Sequence, residues 1–242
     1  EIRPRDWSSD VCSSDLLSAQ AYARLKQQPA VCMAASGPGV INLTTGIANA
    51  LIDCAPVVAV GGSSPIHQFG RQTFQEIDQV AIMRGCTKWT QQIIDVRRIP
   101  EMVNTAFQKA MGGKPGPVYL DCPADIIYSE IPEEDVRWGL SGRPILRPRP
   151  QGEKAQVEKL IAALAKAKNP IILTGTGVIW SQAWPELTQF VEKAGIPFYT
   201  TPQGRGVLPD DHPLSFLTMR STAFKDADLI LIVGTRMNYV IE

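Results

Sequence analysis

The chain has 242 residues, 44% of them apolar, and its 24 basic and 24 acidic side chains cancel. That length suits two domains, and with no run of one charge sign, no signal peptide and no apolar run near the about 18 residues that span a bilayer, neither nucleic acid nor a membrane is an expected partner; a small molecule is. The five cysteines (Cys12, Cys32, Cys54, Cys86, Cys122) contain no C-x-x-C pair and lie far in sequence from His67 and His212, which argues against zinc and for reduced thiols in a cytoplasmic protein.

Residues 1–16 read EIRPRDWSSDVCSSDL, a polar stretch with Ser-Ser-Asp twice and no hydrophobic period. It resembles the conceptual translation of a sequencing adapter; a disordered N-terminal arm is the alternative. A helical pattern then runs over Ser18 to Gln28 and stops at Pro29. Val31 to Ala35 reads as a strand buried on both faces, and Ser36-Gly37-Pro38-Gly39 turns it into a helix over Ile41 to Ile52 with Leu43, Ile47, Ala50 and Leu51 on one stripe. The apolar run Pro56 to Gly62 follows at once, so the expectation is a βαβ unit with parallel strands, free backbone N–H groups of the turn facing a crevice.

Ser63 to Thr73 reads as a loop at the carboxyl edge of that sheet, leading into Phe74-Gln75-Glu76-Ile77-Asp78-Gln79. Ile99 to Met111 is an amphipathic helix using Met102, Ala106, Phe107 and Ala110, and Val118 to Pro123 is a further strand. From about residue 131 to 152 the composition shifts to Pro, Arg and Glu, which reads as an interdomain linker, with a polybasic site as the sharper alternative. A second unit begins at Glu153. It comprises a helix to Lys168 with Val157, Leu160, Ile161 and Leu164 inward, a buried strand Pro170 to Thr174, a helix near Ala183 to Ala194, a strand Ile196 to Thr200 and a third buried strand Asp228 to Gly234. Alternating β and α elements imply an α/β protein of two parallel-sheet units.

The chemistry legible at this level is thin. Gly175-Thr176-Gly177 after a strand is either a tight βα turn or part of a nucleotide fingerprint that lacks its third glycine. His67 and His212 have no partner that makes either an acid–base group, and they read as loop and turn residues. Exposed Gln and Glu beside Phe74 are ordinary on a loop at an active edge.

Several motifs taken together carry more. Ser36-Gly37-Pro38-Gly39, Asn42 with Gly46 to Ala50, Pro56 through Ser64, Phe74-Gln75-Glu76, Lys88 and Gly116 to Pro123 resemble the pyrimidine-binding domain of thiamine-diphosphate-dependent enzymes. Pro202 to Val207, Asp211-His212-Pro213, Ala227-Asp228 and Gly234 to Asn238 resemble their Rossmann-like central domain. The resemblance covers residues 17–242 and is nearest to the branch of 2-hydroxyacyl-CoA lyases and oxalyl-CoA decarboxylases, with acetolactate synthase more distant.

The resemblance implies a partial pyrimidine-binding domain over 17–130 and a partial central domain over 153–242. It also implies thiamine diphosphate as cofactor, with Mg²⁺ and the diphosphate held by a third domain that no stretch here matches. Pro38, Gly39 and Asn42 correspond to contacts with the aminopyrimidine ring, in a homo-oligomer whose site lies at the dimer interface. Phe74 and Gln75 correspond to positions facing the reacting centre, where decarboxylases of the branch have tyrosine and glutamate, so the pair leans toward the lyase. Thr201, Pro202, Gln203, Gly204 and Arg205 correspond to a segment that contacts CoA. Lys114 and Arg220 correspond to basic residues that hold an ADP moiety, as charge-assisted phosphate contacts would. Thr176 stands where that pattern has lysine.

The glutamate that hydrogen-bonds the pyrimidine in the family falls near Cys12, where the text does not match, so the expectation is that the chain as written is inactive. The implied activity is that of a fragment of a thiamine-diphosphate-dependent lyase, cleaving or forming the bond next to a CoA thioester with formyl-CoA as product. Oxalyl-CoA decarboxylase and acetolactate synthase are the alternatives within the family, and a non-catalytic nucleotide-binding module is the alternative outside it.

Overall fold

The structure, a computed structural model, describes residues 11–139 and 150–237, with side chains from residue 16 onward. The expectations placed on residues 1–10, on the Arg/Pro-rich run within 140–149 and on the motif's Asn238 lie outside the described residues. The chain divides into two compact units, Glu1–Pro148 and Arg149–Glu242.

The first unit is a parallel four-stranded sheet. Helix α1 (Val11–Lys26) leads into β1 (Ala30–Ala34), and two short helices, α2 (Pro38–Asn42) and α3 (Thr44–Ile52), carry the chain to β2 (Val57–Ser63). Then follow α4 (Gln79–Arg84), β3 (Trp89–Gln92), α5 (Ile99–Met111), β4 (Val118–Pro123) and the single turn α6 (Ala124–Ile127). The strand order is β1-β2-β4-β3, and every neighbouring pair is parallel.

Period-two alternation sorts the residues of the two central strands onto two cores. Val57 and Ala59 of β2 and Tyr119 of β4 pack with Val40, Leu43 and Ile47 on one face. Val58 of β2 and Val118 and Leu120 of β4 pack with Met102, Ala106 and Ala110 of α5 on the other. Burying such side chains stabilises by about 1.5–3 kcal/mol each, which is why central strands of this kind read as continuous apolar runs. Leu16 is 0% exposed in the first of these cores and α1 starts at Val11, so the fold takes in the end of the stretch read as foreign.

The expectation that the first strand is buried on both faces is overturned. β1 is an edge strand, and Val31 and Met33 are 48% and 72% exposed because helices cover only the face carrying Cys32. The sequence reading also missed α4 and β3. Thr90-Gln91-Gln92 has no apolar period, since an edge strand needs little burial on either face.

The second unit holds α7 (Lys154–Lys166), β5 (Pro170–Thr174), α8 (Thr176–Ser181), α9 (Trp184–Ala194), β6 (Phe198–Thr200), α10 (Arg220–Asp226) and β7 (Leu229–Val233). Its parallel sheet runs β6-β5-β7. Leu187 and Val191 of α9 pack with Ile172 and Phe198 in its core. Two expectations fail here. In α7, Val157, Leu160 and Ile161 are 48%, 39% and 49% exposed, and only Leu164 packs against the core. β7 is half-buried along its length, because among the described residues it pairs with β5 alone.

Candidate functional site

The site is built where β1 ends. Gly37 takes φ 62° and ψ −116° as the residue capping α2, and Pro38 opens that helix with the fixed φ a first turn accepts. A Cβ on Gly37 would lie 2.5 Å from the carbonyl oxygen of Gln75, so close approach as well as backbone conformation demands glycine. Gln75 itself is left-handed, with φ 60°, and its side-chain Oε1 accepts a hydrogen bond from Ser36 Oγ at 2.9 Å. Two segments 39 residues apart in sequence are thereby seated on one another. The structure thus seats Gln75 of the expected site on the turn that leads into Pro38 and Gly39. Phe74 projects into solvent at 87% exposure, and Asn42 is exposed at the end of α2.

Beneath that contact lies a polar network that sequence reasoning did not single out. Gln79, 2% exposed at the start of α4, accepts from the Gly37 N–H through Oε1 at 3.0 Å. Its Nε2 lies 2.6 Å from the Gly62 carbonyl, 2.8 Å from Tyr119 Oη and 2.6 Å from Asp121 Oδ1, three acceptors for two hydrogens. Asp121, wholly buried in β4, also accepts from Tyr119 Oη at 2.9 Å, from Ser63 Oγ at 2.8 Å and from Gln92 Nε2 at 2.7 Å. Its donors are all neutral groups, and they supply the hydrogen bonds without which a buried carboxyl is costly.

Burial, and after it the neighbouring Asp121, pushes the Tyr119 phenol far above its usual range, so Tyr119 acts as a hydrogen-bond donor and not as an acid. Burial likewise raises the Cys122 thiol to about 11. The signal for this network was present in the sequence only as one acid inside an apolar run and a second glutamine four residues after Gln75.

Above the network opens a cleft of about 460 Å³, lined among others by Ser63, Gln75, Gln79, Arg84, Gln92 and Asp121 at the carboxyl ends of β2, β4 and β3. Glu76 also lines it, but its carboxylate accepts from the backbone of Gly70 and Thr73 and from Thr73 Oγ1, bonds that hold it below the usual carboxylate range. Asp78 accepts from the Ala81 N–H as the cap of α4. Each carboxyl of the cleft is therefore committed to holding backbone or side chains in place. The family's pyrimidine glutamate, expected near Cys12, falls among residues whose side chains are not described.

His67 is exposed, 3.6 Å from Asp125, and His212 lies against Phe198 while its Nδ1 accepts from the Leu214 N–H, as loop and turn residues would. Among the described residues no group of three or more His, Cys, Asp or Glu is placed to hold a metal ion, and no helix is long and apolar enough to cross a membrane.

In the second unit, Thr201 to Arg205 follows β6 as a single helical turn, tied to β5 by the Thr201 N–H donating to the Thr174 carbonyl at 2.9 Å. The Gly175-Thr176-Gly177 turn is a backbone crossing. A Cβ on Gly177 would lie 2.6 Å from Gly234 Cα, and the Gly177 N–H is spent on the Gly234 carbonyl at 2.7 Å. An amide already donating to protein cannot cradle a phosphate, so this turn serves packing. Arg220 opens α10 with its guanidinium 5.9 Å from the Phe224 ring centre. Lys114 is exposed in the loop before β4, at the amino edge of the first sheet and away from the cleft, and its carbonyl accepts from Lys88 Nζ. Lys114 and Arg220 lie in different units.

The first unit is thus an open parallel α/β sheet with its polar cleft at the carboxyl edge, where such sheets bind ligands. Of the expected site residues, Gln75 lines this cleft, while Pro38, Gly39 and Asn42 lie along α2 outside its lining.

The chain belongs to the thiamine pyrophosphate enzyme family. The N-terminal TPP binding domain of that family matches residues 16–82 and its central domain matches residues 157–241. The chain is similar to the 2-hydroxyacyl-CoA lyase of Arabidopsis thaliana, 35% identical over 233 residues, which cover 93% of this chain and 40% of that protein. It is 33% identical over 225 residues to the human 2-hydroxyacyl-CoA lyase 1, covering 93% of this chain and 39% of the relative. A probable acetolactate synthase large subunit of Methanocaldococcus jannaschii is 36% identical over 231 residues, 91% of this chain and 39% of its own length. The chain thus spans about two fifths of the length of these relatives.

Proposed function

We propose that the first unit contributes the aminopyrimidine side of a thiamine diphosphate site, in an enzyme that cleaves or forms the carbon–carbon bond next to a CoA thioester and releases formyl-CoA. The observation that carries this reading is the seating of Gln75 on the Gly37 turn, at the mouth of the cleft. Bound there, the cofactor would supply a carbanion-stabilising ring, chemistry that no protein side chain offers. The chain's own residues would do the placing. Pro38 and Gly39 present a face for the ring, Asn42 offers an amide, and Phe74 and Gln75 face the substrate.

Neither matched domain is the one to which the resemblance assigns diphosphate and Mg²⁺, so both belong to other parts of a cytoplasmic homo-oligomer. Thr201, Pro202, Gln203, Gly204 and Arg205 fit a CoA contact as a turn at the carboxyl edge of the second sheet, with Pro202 and Arg205 exposed and Thr201 and Gly204 buried. Lys114 and Arg220 fit phosphate contacts by charge alone. The packed Gly175-to-Gly177 turn speaks against the reading as a nucleotide-binding module through that loop.

Identities of 35% to a lyase and 36% to a synthase do not separate the two, so the choice of lyase rests on Phe74 and Gln75. Oxalyl-CoA decarboxylase and acetolactate synthase are the competing activities. The deciding assay supplies a full-length protein carrying both matched domains with thiamine diphosphate, Mg²⁺ and either a 2-hydroxyacyl-CoA, oxalyl-CoA or pyruvate. Formyl-CoA with an aldehyde or ketone is the expected product of the first. Acetolactate from pyruvate, or turnover of oxalyl-CoA alone, would overturn the lyase reading. The 242-residue chain alone is expected to show no turnover with any of the three.

A further inference from the structure

We infer that Gln79 is the positioning residue of this site: its buried amide locks the Gly37 turn to the floor of the cleft and so sets where the ring-facing residues Pro38, Gly39 and Gln75 stand. The inference rests on the cofactor reading above, but its first half concerns the protein alone. Gln79 joins three separate parts of the first unit. Through Oε1 it holds the Gly37 N–H, and through Nε2 it reaches the Gly62 carbonyl at the end of β2 and Tyr119 and Asp121 in β4, 17 to 42 residues away in sequence.

A carboxamide fits this position at any pH. The group must accept from an amide on one side and donate to a carboxyl on the other, and a buried side chain that does one and not the other leaves an unpaired polar group. Gly37 also packs against the Gln75 backbone, Ser36 Oγ bonds Gln75 and Val40 pins α2 in the core, so releasing the Gly37 N–H loosens the start of the segment that presents Pro38 and Gly39. Position 79 therefore acts on the ring through the backbone of another element and touches no reacting atom.

Replacement by glutamate makes the lock titratable. The groups that face the introduced carboxyl are Asp121 and Tyr119 from β4, the Gly62 carbonyl from β2 and the Gly37 N–H, with Glu76, Asp78 and Arg84 also lining the cleft. Two carboxyls at this separation cannot both ionise without strong repulsion. Protonated, the introduced group donates to Asp121 and accepts from Gly37, as the amide does. Ionised, it repels Asp121. Its folded-state pKa is thus raised, and the lock holds at low pH and fails as pH rises.

The experiment measures two things at pH 5 and pH 8, the first on the 242-residue chain and the second on a full-length protein carrying both matched domains, each compared with its Gln79→Met and Gln79→Glu variants. One is amide hydrogen exchange across residues 31–42, corrected for the intrinsic pH dependence of exchange. The other is calorimetric affinity for thiamine diphosphate with Mg²⁺. Expected for Gln79→Met are faster exchange at Gly37 and affinity weakened about tenfold or more at both pH values, the scale of one unpaired buried group. For Gln79→Glu, protection and affinity are expected near the parent's at pH 5 and lost together at pH 8.

Unchanged exchange at Gly37 in both variants overturns the positioning role. Exchange that follows this pattern while affinity does not change overturns the link to the ligand. A full-length parent that does not bind thiamine diphosphate with Mg²⁺, with exchange in the chain still following the pattern, overturns the cofactor reading and leaves the lock established. Should Gln79→Met fail to fold, the pH rescue of Gln79→Glu decides alone.

Discussion

Gln75 and Gly37 meet backbone to backbone, both with left-handed φ values of about 60°, and a Cβ on the glycine would sit 2.5 Å from the glutamine's carbonyl oxygen. Neither conformation is one an L-residue adopts freely, and the cost, about 1–3 kcal/mol for a strained residue, is sustained because the two segments hold each other.

Gly37→Ala is therefore expected to destabilise the first unit by about 1–3 kcal/mol from conformation alone, with the clash at Gln75 in addition. Urea unfolding checks it, the midpoint falling without a change in slope. An unchanged midpoint would mean that Gln75 withdraws without cost.

Asp121→Asn replaces an acceptor of four neutral donors with a group that must itself donate. At least one of Ser63, Gln92, Tyr119 or Gln79 then loses its bond, and the loss of stability should be about 1–3 kcal/mol for each buried group left unpaired. Asp121→Leu removes every acceptor and should cost more. The order Asn milder than Leu in denaturant unfolding is the check.

Cys122 is raised to about 11 by burial and secondarily by Asp121, so at pH 8 the thiolate is a minor form. Iodoacetamide should label Cys122 in the folded chain much more slowly than in urea. Its rate should climb with pH well past the point where an ordinary thiol near 8.5 has levelled off. Peptide mass mapping reads both.

Glu76 is held below the usual glutamate value of about 4.3, first by the Gly70 amide and then by the Thr73 amide. A carboxyl with a lowered folded pKa contributes ordering that is fully present above its unfolded value and is lost as pH falls through the folded one. The Gly70-to-Thr73 loop should thus become more susceptible to an acid-active protease as pH drops below about 4.3, and Glu76→Gln should be cut there faster than the parent by a neutral protease at pH 7. Equal cleavage of parent and variant at pH 7 would show that the loop is held by something else.

The central strands were legible as apolar runs, and the helix after β3 as one apolar stripe repeated over its whole length. β4 and α5 fall on the expected residues, Val118–Pro123 and Ile99–Met111. Edges were not legible. Val31 and Met33 look like core residues in sequence and Gln91 and Gln92 look like loop, yet both segments are strands. Burial of a strand depends on which neighbours the sheet provides, and periodicity carries no record of them. For the same reason Val157, Leu160 and Ile161 form a clean helical stripe without a buried face.

The sequence by itself determined the class of the protein, two parallel α/β units, and pointed through its Gly-Pro-Gly and Phe-Gln-Glu motifs to the family whose two domains it matches. Only the tertiary structure decided how those motifs make a site. Gln79 and Asp121 are unremarkable letters in sequence, an exposed-looking amide and one acid in an apolar run. Folding places them 2.6 Å apart under the Gly37 turn. A hydrogen bond between residues 42 apart leaves no local signature, because nothing near either residue in sequence records the partner that burial will require it to find.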